Sequence, residues 1–448
     1  MNMTRARRDG LYLLLLGSLI FILLGAALIK GAQAPMLDFR ALYYPARCLM
    51  QHCDPYNESE VLRVYQAEGV YSQLDTAKQR LMVARYGYLP TAFSFTVPFA
   101  MLLWGPAQML WITLTVSGMI IGALLIWDLG ANYAPIISGF LIGFLLANSE
   151  VLVMQGMCAG IVVSLCMVAV WCFLGERFVA AGILCLAVSL AIKPQDTGMV
   201  WLYFLLAGGV YRTRALQTLF ATVVLTLPAV LWVWRVSPHW MQELHSNILA
   251  FSAHGGINDP GLASSGAHGL ASVINLQAVF SLFWDNPRIY NPASYLLCAP
   301  LLLLWVIVTL RSRSSQEKAW LALAAIAALS MLPVYHRQYD AKLLLLTVPA
   351  CAMLWAEGGR IGKLALLVNS AALVVTGDIS WAVVLVLINH LHLPASALTQ
   401  QILIAVQVFP APLTLLVTGI FYLWIYVQRC SATASPQPLS GYAGGLRI

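Results

Sequence analysis

Residues 5–30 read RARRDGLYLLLLGSLIFILLGAALIK. From Leu11 to Ile29 the run carries no charge, and an uncharged apolar stretch of about 18 residues or more crosses about 30 Å of hydrocarbon as a helix. Arg5, Arg7 and Arg8 precede it, which is the flank of a helix whose amino end stays in the cytoplasm. A secretory signal begins in the same way, and Ala32-Gln-Ala34 has the small-residue spacing of a cleavage site. The run exceeds the usual signal core of about 7–15 residues, so it reads as a retained span.

Working outward, similar runs occur at 106–127, 135–147, 157–174, 178–192, 197–210, 216–234, 292–310, 319–334, 341–356, 364–389 and 400–427. Of 448 residues 60% are hydrophobic and 10% charged, against roughly 25% charged in a soluble chain. Lipid is therefore the main solvent. The expected fold class is all-α, a polytopic membrane helical bundle of about 11–13 spans forming one domain over residues 1–430. The Ser-, Pro- and Gly-rich residues 431–448 read as a disordered cytoplasmic tail.

The net charge of +7 does not indicate nucleic acid, because the basic residues sit in short connectors. They are Arg177, then Arg212 and Arg214, then Arg311, Arg313 and Lys318, then Arg360 and Lys363, then Arg429, alternating with connectors nearly free of Lys and Arg. Such a bias puts every second connector in the cytoplasm and both chain ends with it. The segment 90–103 would break this alternation if it crossed; it is short, contains Pro98, and reads as half-inserted or interfacial.

Two long loops then face outward, 30–89 and 235–291. The first opens with Asp38 and places Phe39, Leu42, Tyr43, Ala46, Leu49 and Met50 at helical spacing, as in a helix lying in the interface and bent at Pro45. Asp54-Pro-Tyr-Asn57 makes a turn, and Val61, Leu62 and Tyr65 suggest a second surface helix. Cys48 and Cys53 share this loop and pair only if it meets an oxidising compartment; both states stay open. The second loop, with Gly255, Gly256, Gly261, Gly266 and Gly269, reads either as a mobile lid or as a disordered connector.

The soluble-enzyme motifs are missing: no phosphate-cradling Gly loop before a Lys-Ser/Thr, no His-Glu-x-x-His, no G-x-S-x-G and no Asp-x-Asp. Ion-driven transport favours ionisable groups buried at mid-membrane, whereas here they fall at helix ends and in loops. His52, His239, His245, His254, His268, His336, His390 and His392 all fall on the outer side of this topology. His390 and His392 lack a nearby third ligand, so no metal is expected.

Asp38-Phe-Arg-Ala-Leu-Tyr-Tyr-Pro-Ala-Arg47, followed by Asp54-Pro-Tyr56, resembles the opening outer loop of glycosyltransferase family 87. Tyr88-Leu-Pro90, Gln155-Gly156 and Lys193-Pro-Gln195 sit where that family places similar short signatures, so the likeness runs in order along most of the chain. It implies a GT-C-like fold with a cavity open to the outer face of the plasma membrane. It also implies a polyprenyl-phosphate sugar donor, with mannose the first candidate since the family includes α-1,2-mannosyltransferases, and a lipid or glycan acceptor. The chain departs from the family in its Gly-rich second loop and in Tyr335-His-Arg-Gln-Tyr-Asp340.

The residue inventory suits that chemistry. A sugar leaving on phosphate needs no general acid, so one carboxylate, Asp38, suffices to take the acceptor proton; helix capping is its bland alternative. Lys193, His336, Arg337, Arg288 and Lys342 are the candidates to hold phosphate by charge-assisted bonds, against the plainer roles of interfacial side chain or partner to Asp196 or Asp340. Arg40, Tyr43, Tyr44, Tyr88, Gln155 and Gln195 are the candidate substrate contacts that the resemblance implies, and Asp340, in the segment that departs from it, is a further candidate. No cofactor is expected. A lipid-linked sugar flippase, a small-solute transporter and an inactive assembly subunit are the competing classes. Reporter fusions after Arg214, Arg313 and Lys363 should read as cytoplasmic and those near Asn57 and Gly266 as external; a cytoplasmic reading near Gly266 would invert the site assignment.

Overall fold

The structure, a computed structural model, describes residues 4–32, 35–68, 83, 87–256, 258–261, 273–312, 315–390, 405–406 and 408–432. The cleavage-like Ala34, the lid glycines Gly266 and Gly269, His268, Arg313, His392 and the tail beyond 432 lie outside the described residues. What is described is helical, with one isolated β-bridge between Val273 and Arg337.

The amino-terminal helices are α1 (Arg5–Gly31), α2 (Leu37–Met50), α3 (Glu58–Ala67), α4 (Pro90–Ala100), α5 (Trp104–Gly130), α6 (Pro135–Ala147) and α7 (Glu150–Gln155). The middle of the chain supplies α8 (Cys158–Leu174), α9 (Val179–Ile192), α10 (Pro194–Ala207), α11 (Gly209–Val236), α12 (Trp240–Ser252), α13 (Leu276–Ser281) and α14 (Pro287–Arg311). Then come α15 (Gln316–Leu329), a 3-10 helix (Gln338–Leu346) continued by α16 (Thr347–Glu357), α17 (Gly359–Val375), α18 (Asp378–His390) and α19 (Pro410–Ala432).

Six of these elements are long and apolar enough to cross a membrane: α1, α5, α11, α14, the joined 3-10 helix and α16, and α19. Further apolar helices of 10–17 residues include α6, α8 and α9. The dozen runs legible in the sequence thus divide into full-length spans and shorter pieces, because the runs at 135–147, 157–174 and 178–192 are themselves short and another is interrupted. Residues 364–389, expected as one helix, break at Thr376-Gly377 between α17 and α18. The run 135–147 is helix α6 with the same bounds, and Asn148-Ser149 separates it from the short α7. The 11-residue α4 is too short to span, as its length and Pro98 suggested.

Helix α15 is apolar all round, and every residue from Ala319 to Leu329 is buried. Its alanines let α14, α16 and α19 approach closely, which is how helices associate where lipid tails remove the hydrophobic gain. The α1–α6 contact uses the same device more tightly. A Cβ on Gly17 would collide with the backbone of Gly143, and one on Gly139 with that of Gly10.

Basic connectors gather at one end of this bundle. There Arg7 Nη2 meets Asp128 Oδ1 at 2.5 Å, Arg214 Nη1 donates to the Phe173 carbonyl at 2.7 Å, and Arg429 pairs with Glu357 and, at 3.5 Å, with Glu317. Helices α2 and α3 lie at the other end, where Cys48 and Cys53 are joined in a disulfide.

The glycine packing makes a direct prediction. Gly17→Leu overpacks the α1–α6 seam and should lower stability by about 1–3 kcal/mol or more, read as a fall in the thermal midpoint in detergent. Gly31→Leu, on the same helix but with open space around it, should leave the midpoint unchanged; equal midpoints for the two variants would refute the seam.

Candidate functional site

Asp38 is the second residue of α2, and the cap position belongs to Met36, whose φ of 63° is left-handed. No side chain caps this helix. The capping role available to a carboxylate here is therefore not the one it fills. The other α2 side chains fix the helix in place: Phe39 stacks on Trp111 with ring centroids 4.5 Å apart, and Tyr44 lies 5.9 Å from Trp104 in a stacked arrangement.

Asp38, Tyr88, Tyr335, Arg337 and Tyr339 are enclosed by the fold on a longer range yet keep part of their surface accessible. We call the ground bordered by these partly accessible side chains the recess and the side chains its wall. Beneath them Lys193, Asp196, His336 and Asp340 are buried, each 9% exposed or less. Lys193 occupies the break between α9 and α10, which Pro194 opens as first residue of the next helix. Its ammonium pairs with Asp340 Oδ1 and, at 2.9 Å, with Asp196 Oδ2. Asp340 Oδ2 in turn accepts the Arg337 backbone N–H at 2.9 Å.

The 335–337 segment is pinned from outside by the Val273–Arg337 bridge and by Ile274 N–H donating to the His336 carbonyl at 3.0 Å. So held, the Arg337 guanidinium donates from Nε to the Tyr335 hydroxyl and from Nη2 to Asn258 Oδ1 at 3.4 Å. Asn258 belongs to the second loop, whose neighbouring Asp259 accepts Gly255 N–H at 2.7 Å, Gly261 N–H at 2.8 Å and the Tyr290 hydroxyl at 2.8 Å. The described part of the loop is thus knotted around one buried carboxylate.

Burial pushes the Asp38 carboxyl up to about 6, against the downward pull of Arg337 and Lys193 and with a further push from Asp340. Burial also pulls His336 below the usual imidazole value, and it pushes the Tyr88 phenol well up, so that Tyr88 stays a neutral hydroxyl.

Of the residues singled out in the sequence, Asp38, Tyr88, Lys193, His336, Arg337 and Asp340 are brought together here. Gln195 contributes its backbone beside His336 while its side chain is exposed. Gln155 closes α7. Others serve the scaffold: Arg40 is buried with its guanidinium 5.1 Å from the Trp104 ring, and the Tyr43 hydroxyl donates to the Leu102 carbonyl at 2.7 Å. Arg288 is exposed on the first turn of α14. Asp196, Tyr335 and Tyr339 were not singled out as site residues. The Lys193–Asp196 spacing was a legible signal for one of them, since residues three apart face each other in a first turn.

Lys342 belongs to a second polar centre. Its ammonium donates to the Asn148 carbonyl at 2.7 Å and lies 3.8 Å from Asp378 Oδ1, while Asp378 Oδ2 accepts Val151 N–H at 3.0 Å. Glu150 is buried beside it, with Oε2 lacking a hydrogen-bond partner among the described residues. The expectation that ionisable groups avoid the interior is corrected here. Two helix breaks, at 148–149 and 376–377, expose backbone that a buried Lys and Asp then satisfy. A small cavity lined by Tyr203, Ala207, Thr309, Ser312, Lys318 and Tyr426 lies at the opposite end of α10 from Lys193, away from both centres.

The Lys193 network should behave as a buried ion pair. Lys193→Ala leaves Asp196 and Asp340 uncompensated and should cost about 3–5 kcal/mol, whereas Lys193→Ala with Asp340→Asn should recover part of that loss. Thermal midpoints of the single and double variants test this; a double variant less stable than the single would refute it. No protein-family model, no curated protein and no solved structure matches the chain, so the site is read on its own chemistry.

Proposed function

We propose that this chain is an integral membrane glycosyltransferase of the GT-C type, transferring a hexose from a polyprenyl-phosphate carrier to an envelope lipid or glycan. Mannose is the first candidate, by the resemblance to glycosyltransferase family 87. The observation that carries the reading is Asp38: a carboxylate on an accessible recess wall, tuned to about 6, beside the cations Arg337 and Lys193. A general base works best with a pKa near the operating pH, and a phosphate ester needs fixed cations.

In this mechanism the acceptor hydroxyl gives its proton to Asp38 as its oxygen attacks the anomeric carbon. The bond from that carbon to the phosphate oxygen breaks, and the polyprenyl phosphate departs with the electron pair. Arg337 steadies the departing anion, and its flat guanidinium can make two parallel bonds to phosphate oxygens. Asp38 then returns the proton to water. Two features support an outward-facing site in a bacterial plasma membrane: the Cys48–Cys53 disulfide beside α2 suits an oxidising compartment, and the basic connectors lie at the other end of the bundle.

One observation favours a second reading, a lipid-linked sugar flippase or small-solute transporter. The helix breaks at 148–149 and 376–377 meet around Lys342, Asp378 and Glu150, and interrupted helices with buried ionisable groups mark substrate pathways in transporters.

Purified protein incubated with radiolabelled polyprenyl-phosphate mannose and membrane lipid extract separates the two readings. The parent should transfer label, with a rate that rises with pH below about 6 as Asp38 loses its proton and levels off above it. Asp38→Asn should stay folded and lose about 10²–10⁴-fold of the rate, and Asp38→Glu should keep part of it. Parental transfer by Asp38→Asn removes Asp38 as base, and movement of the lipid across proteoliposomes without transfer would favour the transporter.

A further inference from the structure

The side chains under the recess contain a mismatch that the transferase reading leaves unexplained. His336 Nδ1 faces the Val334 carbonyl at 3.2 Å, and the Gln195 carbonyl also flanks the ring. His336 Nε2 lies 3.6 Å from Asp196 Oδ1, and among the described residues neither atom has a hydrogen-bond partner. All three oxygens are acceptors. A neutral imidazole has one N–H and one lone pair, so with its N–H turned to Val334 the lone pair looks at a carboxylate oxygen. Two bare acceptors buried face to face are costly; one additional proton, on the ring or on the carboxylate, gives the contact a donor and removes that repulsion.

We propose that Asp196 and His336 together hold one proton beneath the recess, and that this proton makes the recess a binding site for a phosphate-diester anion. The charge count supplies the reason. Lys193 and Arg337 are positive; Asp38, Asp196 and Asp340 are negative. With every group ionised and His336 neutral the cluster is net negative and repels an anion, and with one proton on the pair it is neutral. The groups facing the pair are Lys193, Asp340 on the 3-10 helix, and the Cys158 and Cys166 thiols of α8. The proton favours anion binding at low pH, and the gain disappears as the pair deprotonates on raising the pH.

This deepens the transferase reading, on which it rests for the nature of the phosphate. The probes are a short-chain polyprenyl-phosphoryl-mannose and, separately, dimethyl phosphate, because each diester keeps one charge throughout the range. Equilibrium binding to the purified full chain in detergent would be followed from about pH 5.5 to about pH 9, in an Asp38→Asn background so that the wall carboxylate does not titrate. Affinity should fall about tenfold or more as pH rises, the effect of one nearby charge at reduced dielectric. Adding Asp196→Asn should flatten that dependence to about twofold or less and preserve binding at high pH. Adding His336→Gln, which cannot take up a proton, should move the midpoint by about one pH unit or more, and it reads the same point if the Asp196 variant does not fold. Binding of the lipid diester alone identifies a lipid-borne ligand; binding of both identifies a general phosphate-ester site. The parental pH slope in both variants overturns the proposal, as does failure of the parent to bind either diester. Binding requires no turnover, so a pH-dependent anion site without sugar transfer would sink the transferase reading and leave this one standing.

Discussion

The buried ammonium of Lys193, shared between Asp196 and Asp340, is the contact on which the recess depends. It ties two stretches far apart in sequence: the α9–α10 break with the first turn of α10, and the start of the 3-10 helix. Asp340 uses its second oxygen to hold the Arg337 backbone, so the guanidinium on the wall is aimed by an ion pair on the floor. A Lys at this place is affordable only because both charges find partners, since an uncompensated buried charge costs several kcal/mol.

The same 3-10 helix carries the second polar centre. Asp340 and Lys342 are two residues apart, and at 3.0 residues per turn their side chains leave the helix about 120° apart. One therefore reaches Lys193 and the other reaches Asn148 and Asp378. A 3-10 stretch of nine residues is long for its kind, and it makes ionic contacts on both sides. The recess and the paired helix breaks are in this way mechanically joined through two side chains.

How much of this was legible in the sequence depends on the range of the interaction. Helices α6, α8 and α9 followed from runs of apolar residues, and α2 from the spacing of Phe39, Leu42, Tyr43, Ala46 and Leu49, because hydrophobic periodicity is local. Asp38, Lys193, Arg337 and Asp340 were legible as polar residues at helix ends. The division of labour among them was not: Lys342 and Lys193 look alike in sequence, and only the fold sends one to Asp378 and the other to Asp340. The break at Thr376-Gly377 also escaped the apolar pattern, since hydropathy does not register a lost turn when Gly377 packs against Asn148 from another helix. Arg40, Tyr43 and Tyr44, drawn toward the substrate by the resemblance, are occupied by Trp104, Leu102 and Tyr65.

The chemistry of Asp38 follows from what it is denied. Had Lys193 or Arg337 bonded it directly, its carboxyl would have fallen below the usual carboxylate range, as close opposite charges cause by about 1–3 units, and a carboxylate so stabilised is a weak base. Here Lys193 is committed to Asp196 and Asp340, and Arg337 donates to Tyr335 and Asn258. Both cations act on Asp38 from a distance, where burial outweighs them and leaves it near 6. The ion pairs on the floor thus act on the wall in two ways: they fix the positive charge of Lys193 below it, and they keep that ammonium from bonding Asp38 directly.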